Sequence, residues 1–198
     1  MRSTKIINIQ GSIVDFGVLH GNSLFSMAHF SEIFEHRNYL RHIIGFDTFE
    51  GPTLNFHEKD AINDFELAQY KFFYKNNVST QAELEVSIRN FNADRHMKQF
   101  EKIRLVKGDA SETIPLFVKE NPSLIVSLLS CGTDLYSPTY TALKHFYTLM
   151  PNGAVVLFGA TSFDGNPGET AALKDLVGIY AVRLERFDFA TKWSYFVK

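Results

Sequence analysis

Ser12-Ile13-Val14-Asp15-Phe16-Gly17-Val18-Leu19-His20-Gly21-Asn22-Ser23 is the stretch on which the fold turns. Its first five residues, Ser12 to Phe16, read as a strand. From Asn22 to about Glu35, Leu24, Phe25, Ala28, Phe30, Ile33 and Phe34 recur at roughly helical spacing. Between strand and helix lie two glycines, which let a backbone turn sharply and come close to a ligand.

The same alternation continues along the chain. His42 to Phe46 and Lys102 to Val106 read as the second and third strands, and a short helix starts near Ser111. Leu124 to Leu129 is nearly all apolar, as a central strand covered on both faces should be. Ser137-Pro138 supplies an N-cap and a first-turn proline for a helix to about Met150. Asn152-Gly153 ends that helix, and Ala154 to Phe158 follows as a strand. A helix after Pro167 leads to closing strands near 182–187 and 193–197, with Asp188-Phe189-Ala190-Thr191 as the hairpin turn between them. Strands alternating with helices predict an α/β fold around a parallel sheet with helices on both faces. Residues 51–99 break this rhythm. They are polar and aromatic-rich (Phe56, Phe65, Tyr70, Phe72, Phe73, Tyr74), with a capping box at Thr80-Gln81-Ala82-Glu83. They are expected to form one or two helices over the mouth of a site, or plain helical cover.

Size and charge narrow the class. The 198 residues are expected to form one domain, spanning 1–198, with room for a substantial core. A net charge of -2 gives no bulk attraction to nucleic acid or to an anionic membrane. The opening residues lack the apolar core of a secretory signal, and no run is long enough to span a bilayer. Cys131 is the single cysteine, so no internal disulfide can form, and a cytoplasmic location is expected.

Three acids fall at successive strand ends. Asp15 precedes the glycine turn, whose following helix offers free N–H groups and a positive dipole end. Asp47, after the second strand, can accept hydrogen bonds from two ribose hydroxyls, and Asp109, after the third, can accept from an adenine amino group. Each taken alone reads first as a turn or capping aspartate. Together they predict a nucleoside-bearing ligand outside the carboxyl ends of the strands. The glycine spacing is not G-x-G-x-x-G, which argues against a dinucleotide and an NAD-type oxidoreductase.

The series Asp15-Phe16-Gly17-Val18…Gly21-Asn22-Ser23, Gly45-Phe46-Asp47-Thr48-Phe49-Glu50-Gly51-Pro52, Gly108-Asp109-Ala110-Ser111-Glu112-Thr113-Ile114-Pro115, Thr133-Asp134-Leu135-Tyr136-Ser137-Pro138-Thr139 and Pro167-Gly168-Glu169-Thr170 resembles the macrocin O-methyltransferase (TylF-type) family. Those are class I S-adenosylmethionine-dependent enzymes that methylate sugar hydroxyls of natural products. The resemblance implies a Rossmann-like sheet of seven strands, mostly parallel, with an antiparallel C-terminal strand. It implies S-adenosylmethionine as cofactor, S-adenosylhomocysteine as product, and a cofactor site formed by Asp15, Phe16, Gly17, Val18, Gly21, Asn22, Ser23, Asp47, Thr48, Asp109, Ala110 and Ser111. The partner expected is a small-molecule acceptor, with no nucleic acid and no membrane; a homo-oligomer is compatible with the sequence. The first strand lies close to the start of the sequence, so the N-terminal helices that often shape the family's acceptor site are expected to be largely absent.

One part of the pattern is missing. The resemblance implies a divalent metal held by an aspartate two residues before Asp134 and by an acidic pair after the fifth strand. Those positions read Gly132, Gly159 and Ala160. Magnesium-type ions need carboxylate oxygens, so no metal is expected, although Asp164 and Glu169 stand nearby as substitutes. Asp134 keeps the place of the family's general base, yet a carboxylate of ordinary pKa, ~3.9, is a weak base for an alcohol. The sequence therefore leaves open an easier acceptor, a different base such as His20 or His29, or a catalytically impaired binding protein that retains S-adenosylmethionine or S-adenosylhomocysteine.

Overall fold

A computed structural model describes residues 3–51, 56–60, 67–68 and 81–198. In order, β1 (Ser12–Phe16) leads to α1 (Asn22–Glu35) and β2 (Ile43–Asp47). Helix α2 (Gln81–Ala93), β3 (Ile103–Lys107), α3 (Ala110–Glu120) and β4 (Val126–Cys131) follow. The chain closes with α4 (Tyr136–Phe146), β5 (Val155–Phe158), α5 (Gly168–Leu176), β6 (Glu185–Phe187) and β7 (Ala190–Val197). Among the described residues no helix is long and apolar enough to cross a membrane.

The sheet order is β3-β2-β1-β4-β5-β7-β6. Strands β1 to β5 pair in parallel, and β7 runs antiparallel to both neighbours, β5 and β6. This is the seven-stranded mixed sheet expected. Parallel neighbours need long crossovers, and α1, α2 and the later helices provide them. Strands β1 and β4 are buried along their whole length because helices cover both faces. Alternate residues divide between two cores. Val14, Phe16, Ile44, Phe46, Leu129 and Val156 join Ile114, Leu143, Phe146 and Leu173 on one face. Ile13, Ile43, Ile103 and Leu128 join Leu24, Ala28 and Leu84 on the other.

Several sequence expectations shift. In the closing hairpin β6 begins at Glu185 and β7 already at Ala190, so the turn between them narrows to Asp188-Phe189. Strands β2, β3 and β4 begin one or two residues later than their apolar runs suggest, because pairing with the neighbouring strand and not hydrophobicity sets their ends. Helix α4 begins at Tyr136 with Leu135 as N-cap and no cap from a neighbouring side chain, so Ser137 is inside the helix. The carboxylate of Asp60 caps it from afar, accepting from the Tyr136 N–H at 2.6 Å. Within 51–99, α2 packs Leu84, Ile88 and Phe91 into the core beside Phe25 and Val18, as the crossover helix between β2 and β3. Thr80 of the expected capping box and the aromatics Phe65, Tyr70, Phe72, Phe73 and Tyr74 lie outside the described residues.

Buried Arg41 fastens the short 3-10 segment Ser3–Asn8 to this body. Its guanidinium donates to the carbonyls of Ile6 (3.0 Å), Ile9 (2.9 Å) and Gly11 (2.8 Å) and pairs with Glu35 at 2.5 Å.

Candidate active site

The strand order reverses between β1 and β4, and the crevice outside such a switch point is where open α/β sheets hold ligands. Here the two strand ends touch. The Gly132 N–H donates to the Phe16 carbonyl at 2.8 Å. Gly17 has φ +91°, and a Cβ placed on it would stand 2.6 Å from the Gly132 carbonyl oxygen. Only glycine lets the two loops close together there. A cleft of about 590 Å³ opens above them, a size suited to a small-molecule ligand.

Asp15, Phe16, Gly17, Val18, Asn22, Ser23, Asp47, Thr48, Asp109, Ala110, Ser111 and Asp134 all line this cleft. Gly21 does not. It turns the chain at φ +81° as the N-cap of α1, and a Cβ there would meet Leu84 and Phe25 at 2.9 Å. Asp15 is 1% exposed and accepts from the Ser23 hydroxyl at 2.5 Å. Burial pushes its pKa up to about 6; the hydroxyls of Ser23 and Ser130 oppose that rise, and the charge of Asp47 adds to it. Asp47 braces two loops, accepting from the N–H groups of Leu19 and Phe49, each at 2.9 Å. Asp109 caps α3 by accepting from the Ser111 N–H at 2.8 Å. Each of these acids thus has a local structural task, and each also faces the shared cleft.

Asp134 follows β4 at φ +61°, a left-handed conformation that costs a non-glycine residue ~1–2 kcal/mol. Its Oδ2 accepts from the Asn166 side chain at 3.0 Å. Burial raises its pKa, while nearby Lys192 and the Asn166 hydrogen bond pull it down. Of the alternative bases, His20 lines the cleft. His29 does not: it is exposed on α1 and meets the edge of Phe91 at 5.0 Å.

Gly132 and Gly159 line the wall beside Asp134, and Ala160 does not reach the cleft. Asp164 is exposed. Glu169 is fully buried and turned to the backbone, accepting from the N–H groups of Asp134 (3.2 Å) and Ala160 (2.9 Å). Burial, then the charge of Asp134, pushes its pKa up to about 8. Among the described residues no three His, Cys, Asp or Glu side chains could hold a metal ion together.

The structure adds lining residues that were not among the expected site residues, and Asp60 and Trp193 lie outside every motif quoted for the site. Asp60 and Trp193 reach the cleft from distant parts of the chain, alongside Thr133, Ser137 and Thr141. Asp60 is fitted against Gly168, where a Cβ would lie 2.4 Å from its Oδ1.

Solved structures share this fold. The calicheamicin methyltransferase CalS11 superposes with a TM-score of 0.90 at 26% identity, covering 99% of this chain and 75% of that one. An apo structure of CalS11, described as a TDP-rhamnose 3'-O-methyltransferase, gives 0.80 at 25% identity with the same coverage. The O-methyltransferase NovP gives 0.77 at 18% identity, covering 100% of this chain and 77% of that one, a likeness of fold. No curated protein matches the sequence. A family model for macrocin-O-methyltransferase (TylF) matches residues 1–172, and the chain belongs to that family.

Proposed function

We propose that the chain transfers a methyl group from S-adenosylmethionine to a hydroxyl of a sugar or other small metabolite, with Asp134 as general base and no divalent metal. The observation that carries this reading is the convergence of Asp15, Asp47 and Asp109 on one cleft at the switch point, with Asp134 on its wall. The described lining carries those three acids together with Asp60 and Asp134, and no lysine or arginine, a field that suits a cationic donor.

Bound S-adenosylmethionine would supply an electrophilic methyl group on a positively charged sulfur. The chain's own residues do the rest. Asp47 and Asp109 are the acceptors for ribose and adenine, and the turn from Phe16 to Ser23 presents backbone N–H groups to the amino-acid end. Held this way, donor and acceptor meet in line, and positioning supplies much of the rate. Asp134 takes the proton of the attacking hydroxyl, and its raised pKa makes it a better base than an exposed aspartate.

The residues beside Asp134 do not fit a magnesium-type ion. Its family ligand positions are Gly132, Gly159 and Ala160, and both oxygens of Glu169 are engaged by backbone N–H groups. The same substitutions favour a second reading, a protein that binds S-adenosylmethionine or S-adenosylhomocysteine without turnover. Calorimetry with S-adenosylmethionine, with and without magnesium, followed by tritium transfer to a panel of hydroxyl, amine and carboxylate acceptors, separates the readings. Tight binding with no magnesium effect and transfer to a hydroxyl is the expected result. Binding without transfer to any acceptor leaves the second reading, and absence of binding removes both.

A further inference from the structure

We propose that Glu169 is a positioning residue for methyl transfer: its buried carboxylate ties the backbone of Asp134, after β4, to that of Ala160, after β5, and so fixes how Asp134 faces the cleft. The inference rests on the reading of Asp134 as the base.

Glu169 stands in the first turn of α5, where the helix end favours a carboxylate. Gly168 brings that turn hard against the loop it serves. A Cβ at this glycine would lie 2.4 Å from the Tyr136 nitrogen and 2.7 Å from the Leu135 carbonyl carbon. The two oxygens of Glu169 then divide their work. Oε1 accepts from the Asp134 N–H at 3.2 Å, and Oε2 accepts from the Ala160 N–H at 2.9 Å.

Asp134 needs such support because it sits at φ +61°. Its side chain is held at the far end by Asn166, three residues before Glu169 on the same loop and helix. Main chain and carboxylate of the proposed base are thus fastened by one short segment, Asn166-Pro167-Gly168-Glu169. Glu169 itself does not line the cleft, so any effect it has on the reaction must pass through the residues it holds. A carboxylate sunk at zero exposure, with Asp134 and Cys131 as its charged or titratable neighbours, is a poor choice for packing alone. Stability given up at a site is the usual mark of a residue kept for geometry.

The test compares the intact protein with Glu169→Gln, Asp134→Asn and the double variant, using tritiated S-adenosylmethionine and whichever acceptor the panel identifies. Glu169→Gln keeps one carbonyl oxygen but loses an acceptor for the second N–H. Expected are S-adenosylmethionine affinity within about twofold of the parent, acceptor KM within about threefold, and kcat at least tenfold lower. Adding Glu169→Gln to Asp134→Asn should cost little more, since both act through one group. Amide hydrogen exchange at Asp134 and Ala160 should accelerate at least tenfold while the rest of β4 stays protected, a readout that needs no acceptor. Should Glu169→Gln not fold, Glu169→Asp carries the same measurements with a shorter reach. A Glu169 variant at full kcat while Asp134→Asn is slow overturns the positioning role, as does an equal loss of cofactor affinity and rate. Asp134→Asn at full rate removes the base instead, whatever the Glu169 variants do.

Discussion

Replacing Asp15 by asparagine should make the ligand-free protein more stable at neutral pH, although it removes a group from the proposed cofactor site. Asp15 is 1% exposed, and its burial is the main cause of a pKa raised from 3.8 to about 6. The unfolded chain releases this proton near pH ~3.9. Between about pH 4 and pH 6 the folded state therefore binds a proton that the unfolded state has lost, so stability falls as pH rises through that window. Above pH 6 the whole cost stands. A gap of about two pH units at ~1.4 kcal/mol each gives ~3 kcal/mol. Asparagine at this position keeps an acceptor for the Ser23 hydroxyl and never ionises. Glu169 and Asp134 also have raised pKa values, but they are common to both proteins and cancel in the difference. Urea unfolding of parent and Asp15→Asn from pH 4 to pH 8 makes the measurement. The two should agree to within ~1 kcal/mol at pH 4 and diverge towards ~3 kcal/mol by pH 7, with the variant the more stable. Parallel curves, or a variant less stable than the parent at pH 7, would refute the reasoning.

Asp47→Ala should weaken S-adenosylmethionine binding by ~1–3 kcal/mol in calorimetry, since it removes a charged acceptor and frees the Leu19 and Phe49 N–H groups; an unchanged dissociation constant takes Asp47 out of the site. Gly17→Ala should lower unfolding stability by at least ~2 kcal/mol, because its Cβ meets the Gly132 carbonyl and its φ of +91° disfavours any side chain; a denaturation midpoint matching the parent's counts against the close approach of β1 and β4. Arg41→Met should cost ~3–5 kcal/mol by leaving Glu35 and the carbonyls of Ile6, Ile9 and Gly11 without their cation, and a loss under ~1 kcal/mol would show that the 3-10 segment is held by other contacts.

The α/β class, the strand sequence and the glycine turn were legible because each is a local pattern. Period-two and helical spacing, glycine conformational freedom and acids at strand ends need only neighbours in sequence. The boundaries of α1 agree with its apolar periodicity at both ends, whereas β2, β3 and β4 slide because pairing register decides them. Asp15, Asp47 and Asp109 were singled out by their position at the ends of strands, and all three line the cleft. His29 failed the same kind of reasoning, since a helical residue near the loop points away from the cleft when the helix turns.

Sequence by itself determined which segments could be strands and where carboxylates could gather, because backbone preference and side-chain chemistry are properties of short stretches. Tertiary structure alone decided that Asp60 caps α4 across 76 residues, that Trp193 joins the cleft, and that Glu169 holds the backbone of Asp134 instead of facing a ligand. Those pairings depend on which elements a folded sheet brings together, and no spacing along the chain encodes that distance.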